Sequence, residues 1–164
     1  MSVRCNSEER PTASTERPGR ALERYCGVSA EVEQLLESLG TSLTKTKGET
    51  LFQQGDEPQG IFLVKSGSAV LRLCNGSEAV SFRRAVGPGS VLGLPSVLGK
   101  QPCSVTATVT RDAEVTFIPA KSMVALFRDN APACIEALRA LSQEVATMRT
   151  LAAEHKRRAV SKRR

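Results

Sequence analysis

The chain has 164 residues, 40% of them apolar, with 23 basic and 17 acidic side chains and a net charge of +6. That length suits one domain with its own buried core plus terminal segments, and no apolar run approaches the roughly 18 to 20 residues of a membrane span. The N-terminus lacks the basic start and apolar stretch of a secretory signal, and Cys5, Cys26, Cys74, Cys103 and Cys134 are scattered with no C-x-x-C pair, so reduced thiols and a cytoplasmic protein without membrane attachment are expected.

Residues 1–20 combine Ser, Thr, Pro, Glu and Arg with almost no large apolar side chains. Burial cannot offset their ordering entropy, and a disordered segment is predicted there. Ser29 opens "SAEVEQLLESLG", in which Glu31 and Glu33 occupy a first turn, Val32, Leu35, Leu36 and Leu39 recur at helical spacing, and Gly40 follows as a stop. One amphipathic helix with a single buried stripe is predicted. From Thr41 to about Pro119 the pattern changes to short runs rich in β-branched and aromatic residues, "IFLVKSG", "SAVLRLCNGSEAVSFRRAVG", "CSVTATVT" and "AEVTFIP", separated by Gly, Pro and Asn. Val105, Ala107 and Val109 alternate with threonines as in a half-buried strand, and Asn75-Gly76 is a hairpin signal because a tight I′ turn needs positive φ at both central residues. Many short strands imply a sandwich or rolled barrel. Helical spacing returns in "AKSMVALFRDN", with Met123, Leu126 and Phe127 on one face. A longer helix then carries Pro132 in its first turn, where a missing N–H costs nothing. Along it Cys134, Leu138, Leu141, Val145, Met148 and Ala152 recur at steps of four and three, the seam of a helix paired with another helix; the competing reading lays this helix on the body of its own chain. The charge excess is confined to the end: Lys156, Arg157, Arg158, Lys162, Arg163 and Arg164 supply six basic residues, and the other 17 balance the 17 acidic ones. This basic tail, residues 156–164, suits either solvation or nonspecific contact with phosphates.

The stretch "GETLFQQGDEPQGIFLVKSGSAVLRL", with its G-E-x-L-F-x-Q-G-D motif and a later S-G, resembles the opening of cyclic-nucleotide-binding domains, in particular the sensor domains of Crp/Fnr transcription regulators. The resemblance runs from about Leu35 to Leu151 and implies a mainly β fold with flanking helices: a double-stranded β-helix, or jelly-roll-like β-roll, followed by a long C-terminal dimerisation helix, all within residues 21–155. Gly48, Gly55 and Gly67 stand where a chain reversing between strands needs positive φ or no Cβ.

The resemblance also makes "GSVLGLPSVLGKQPCSV" the phosphate-binding cassette, a short helix between two strands. In the family an acidic residue holds the ribose hydroxyl and an arginine before a small hydroxyl residue neutralises the phosphate. Those positions fall on Leu94 and Cys103, and Pro95 has no N–H to offer an anion. Gly93 and Ser104 keep matching chemistry, and Ser96 lies between them in a ligand pocket that reads as degenerate. An unpartnered buried phosphate costs about 3 to 5 kcal/mol, roughly two to four orders of magnitude in affinity. Lys100 near the loop tip is a poor replacement for a bidentate guanidinium, so ordinary cyclic AMP or cyclic GMP binding is not expected.

No metal, cofactor or catalytic set can be assembled. His155 is the only histidine, Cys5 and Cys26 are too few for an iron–sulfur cluster, and no Walker, G-x-S-x-G or paired-carboxylate pattern occurs, which argues against an enzyme. Cys103 reads as a packed thiol, with a redox sensor as its alternative. After Leu151 only "AAEHKRRAVSKRR" follows, too short for the helix-turn-helix of a Crp/Fnr regulator. The chain is therefore read as a stand-alone sensor-type regulatory domain, expected to form a homodimer through the long helix and to act on a protein partner or another ligand. Its alternative is a shortened transcription regulator working by heterodimerisation or by nonspecific DNA contact through the tail.

Overall fold

A computed structural model describes residues 22–74 and 80–162; the segment 1–20 and the Asn75-Gly76 turn lie outside the described residues. These residues form six strands and four helices: α1 (Ala30–Leu39), β1 (Thr41–Lys45), β2 (Thr50–Phe52), β3 (Gly60–Cys74), β4 (Val80–Val86), β5 (Val91–Leu92), α2 (Leu94–Gly99), β6 (Thr106–Pro119), α3 (Ala120–Asp129) and α4 (Ala131–Ser161). The mainly β architecture with flanking helices and a long last helix agrees with the sequence reading.

All strands belong to one antiparallel sheet ordered β1-β6-β3-β4, with β2 against β6 and β5 against β3. The two central strands are longer than the sequence suggested, because Gly67 does not end β3. With φ at +80° it makes an irregularity between Ser66 and Ser68, and the ladder with β6 resumes at Ser68 opposite Arg111. A Cβ at Gly67 would lie 2.3 Å from the Asp112 carbonyl oxygen, so the close crossing of β3 and β6 requires glycine. Gly48 and Gly55 also have positive φ, +94° and +90°.

Both faces of the central strands are buried. Successive side chains point to opposite faces, so Leu63 joins a cluster under the helices while Val64 joins the interior of the roll. The roll interior is apolar, built from Val64, Leu71, Val86, Leu92, Val109 and Val115. Phe62 lies between Phe52, stacked with ring centroids 6.1 Å apart, and Phe117, tilted at 5.1 Å.

Ser29 caps α1 by accepting the Val32 N–H, and its own N–H and hydroxyl both donate to Glu136 of α4 at 2.9 Å. Only Val32 and Leu36 of the expected stripe are buried; Leu35 and Leu39 stay 37% and 40% exposed because α1 touches the body along a narrow line. In α3 the inward residues are Met123 and Phe127. Asn130 ends α3 and caps α4, its side-chain oxygen accepting the Ala133 N–H.

The face of α4 that docks on the body consists of Ala133, Ala137 and Ala140, at most 4% exposed. Short side chains at this spacing let the helix approach closely. Glu144 extends the same line one turn further. The seam read from the sequence is displaced by one residue, about 100° around the helix. There Cys134 and Leu141 are half-buried against the helix cluster, while Leu138, Val145 and Met148 are 54%, 52% and 38% exposed and Ala152 is exposed. The helix continues through Ser161, so Lys156, Arg157 and Arg158 lie exposed on its last turns, followed by Lys162 at its C-cap.

Candidate functional site

The loop after β5 turns at Gly93, whose φ of +88° is left-handed and whose Cβ would sit 3.2 Å from the Gly60 carbonyl. The six-residue α2 follows and ends at Lys100, itself left-handed with φ of +49°. Leu94, the position the resemblance assigns to a ribose acceptor, is 1% exposed and packs in the cluster with Ile61, Val97 and Met123. Pro95 is exposed in the first turn of α2. Ser96 is buried and bonds the Cys103 side chain.

Cys103, assigned to the family's arginine, is 5% exposed. Its backbone N–H donates to the Asp56 carbonyl at 2.9 Å, and its carbonyl accepts the Gly55 N–H at 2.7 Å. Burial, reinforced by the charge of Asp56, pushes its thiol pKa up. A neutral, enclosed thiol is a poor nucleophile, which favours the packed reading over the redox one. Ser104 is exposed.

The polar centre of the molecule lies elsewhere, on residues that no motif marks. Phe82, Arg84 and Val86 alternate on one face of β4, and Arg84 pairs across the ladder with Leu71 of the roll interior. Arg84 is 8% exposed and held between two carboxylates. Its Nε donates to Glu23 at 2.9 Å, while Nη1 and Nη2 both donate to Glu144 of α4. The Tyr25 ring lies 5.2 Å from the guanidinium carbon, a cation–π distance. Burial opposes the charge on Arg84, but the hydrogen bonds and charge of Glu144, followed by those of Glu23, prevail and hold its pKa above the ordinary value.

Residues 23–28 form a strap over this pair. Glu23 bridges to Val86, Gly87 donates to the Glu23 carbonyl, Tyr25 donates to Ser90 Oγ, and Val91 donates to the Tyr25 carbonyl. The Cys26 N–H donates to Glu144 at 3.3 Å. One cation thereby ties the roll, the strap and the long helix together. The available sequence signal was Arg83-Arg84 inside an alternating strand, since one of two adjacent arginines must face inward.

Burial pushes the Cys26 thiol from 9.0 up to about 12, with the Glu144 charge adding to the effect, and raises the Tyr25 hydroxyl as well. Above pH 9 the unfolded chain releases protons that the folded one keeps, so stability holds below that pH and falls as pH rises from about 9 toward 12. Urea unfolding at pH 7 to 11 should show this slope, and Cys26→Ala should flatten it. A slope unchanged by Cys26→Ala would contradict this assignment.

The model of the family described as "Cyclic nucleotide-binding domain" matches residues 43–130, more than half of the chain. The chain belongs to the cyclic nucleotide-binding domain family. This cyclic nucleotide-binding domain is similar in fold to the Thermus thermophilus catabolite activator protein, with a TM-score of 0.65 and 26% identity over 78% of the chain and 60% of that protein. It is also similar to the sensor domain of the transcriptional regulator DNR from Pseudomonas aeruginosa, with a TM-score of 0.60 and 16% identity over 73% of the chain and 81% of that domain. A third likeness is the N-terminal domain of a Streptomyces coelicolor A3(2) transcriptional regulator, with a TM-score of 0.58 and 19% identity over 73% of the chain and 86% of that domain. The resemblance to Crp/Fnr sensor domains read from the sequence is borne out, and the family is regulatory rather than enzymatic. No curated protein matches the chain. No helix among the described residues is long and apolar enough to cross a membrane.

Proposed function

We propose that this domain is a regulatory module of the Crp/Fnr sensor type in which an internal ion pair takes over the bridging task of a bound cyclic nucleotide. The observation that carries this reading is Arg84, on the inner face of the roll, bound to Glu144 of α4. A ligand between roll and helix would offer polar groups to both; here the chain itself supplies the cation from β4 and the anion from α4. The cassette positions agree: Leu94 is committed to the core and Cys103 is a neutral thiol. No buried side-chain nitrogen or oxygen among the described residues lacks a partner, so no enclosed polar side chain there waits for a phosphate or ribose.

The module then acts by contact, as a binding domain and not as an enzyme. Its exposed α4 stripe, Leu138, Val145 and Met148, supports pairing with a second copy. Isothermal calorimetry with cyclic AMP and cyclic GMP is expected to show no micromolar site. A saturable micromolar isotherm for either nucleotide would overturn the reading. Restoring charges through Leu94→Glu with Cys103→Arg should not create a site while Arg84 and Glu144 remain paired.

A further inference from the structure

On the outer side of the cassette, away from the roll interior, α2 and α3 enclose an open cleft of about 520 Å³ together with the loop at Glu57 and Pro58. Its wall is apolar, from Pro58, Val97 and Val124, and Val124 is left 45% exposed. Its rim is cationic, from Lys100, Lys121 and Arg128, against the single acid Glu57. Neither Lys100 nor Lys121 has an ion-pair partner among the described residues, and Arg128 meets only the solvated Asp129 next to it, at 3.6 Å.

The sequence of α3 explains the arrangement. Met123 and Phe127 turn inward, which places Lys121, Val124 and Arg128 along the outward face at helical spacing, base, apolar, base. Burying Val124 while leaving three cations near it would be unfavourable unless the partner brought negative charge. Seven residues of helix set Lys121 and Arg128 about 10 Å apart. An extended peptide in the polyproline II conformation, rising about 3.1 Å per residue with three residues per turn, places side chains three positions apart on one face at about that distance.

We infer that this cleft is a docking site for an acidic segment of a protein partner, in which a bulky apolar residue enters beside Val97 and Val124 and flanking carboxylates meet Lys121, Arg128 and Lys100. The inference adds a partner surface to the regulatory reading and does not depend on the Arg84 pair. Failure at the cleft would leave the calorimetric result with cyclic nucleotides unchanged, and the converse also holds.

The test uses the full chain and a set of fluorescein-labelled octapeptides with the core Asp-Xaa-Xaa-Glu, where one Xaa is Leu or Phe and the other Ser, beside matched peptides with Ser at both. Fluorescence anisotropy should show saturable binding of apolar members, weakening at least tenfold when both Xaa are Ser. It should weaken at least tenfold in Lys121→Glu with Arg128→Glu and in Val124→Asp, with thermal unfolding of these surface variants close to that of the parent. Absence of binding by every member, binding unchanged in the charge-reversed variant, or equal binding of the all-Ser peptides would overturn the proposal. So would displacement by inorganic pyrophosphate at the peptide's own concentration, which would assign the cations to a small anion.

Discussion

Arg84→Met is expected to destabilise the domain by about 3 to 5 kcal/mol in urea unfolding, because it leaves the largely buried Glu144 carboxylate without its cation. Arg84 is 8% exposed and the Glu144 side chain 12%, so solvent cannot take the place of the lost partner. Glu144→Gln removes the charge but keeps the shape and one acceptor, and its effect should be smaller yet still above about 1 kcal/mol. Glu23 is 43% exposed, so Glu23→Gln should cost less than about 1 kcal/mol. The decisive comparison is Arg84→Met with Glu144→Met. If the pair bridges roll and helix, removing both charges should recover most of the stability lost in Arg84→Met, since two apolar side chains can fill the same space. An additive double variant, as unstable as its two single changes combined, would mean that the residues are not coupled. Amide exchange along α4 should rise in Arg84→Met before the sheet is affected, because the ion pair holds the helix beyond the reach of its alanine contacts.

The second large effect concerns α4 as an interface. Leu138→Asp with Val145→Asp should turn a dimer into a monomer in sedimentation velocity, with a loss of at least a hundredfold in dimer affinity, since each charge would be buried opposite an apolar side chain. Both residues are more than half exposed in the single chain, so folding of the monomer should be little affected. The same substitutions carried out on Ala137 and Ala140 should unfold the protein instead, because those residues face its own core. A wild-type chain that sediments as a monomer at tens of micromolar would overturn the pairing. The two experiments are linked: if Arg84 and Glu144 orient α4, Arg84→Met should weaken the dimer as well as the fold.

Much of the fold was legible because it rests on local chemistry. Ser29 with Glu31 and Glu33 marked α1, the period-two threonines around Ala107 and Val109 marked β6, and Pro132 after Asn130 marked the start of α4. The motif from Gly48 to Leu73 then pointed to a family that the comparison of residues 43–130 bears out. For the candidate site the sequence offered only an expectation, that Leu94, Pro95 and Cys103 lack the charged groups of the family's cassette. The Arg84 cluster could not be seen, because Glu23 and Glu144 lie 61 and 60 residues from Arg84 along the chain and carry no spacing signal.

The long helix shows the same division. A search for large apolar side chains finds Leu138, Leu141, Val145 and Met148 and overlooks Ala133, Ala137 and Ala140, yet it is the alanines that dock on the body. A methyl group carries little hydrophobic weight by itself, and it becomes an anchor only when another surface lies within contact distance. The continuous β3 is a second instance: Ser66-Gly67 reads as a turn, and the hydrogen bonds of β6, some 50 residues later, make it a bulge. Residue chemistry and spacing thus determined the element types and the family. Only the tertiary structure decided which face of α4 meets the body and that Arg84 meets Glu144 and Glu23, because both depend on groups distant in sequence coming together.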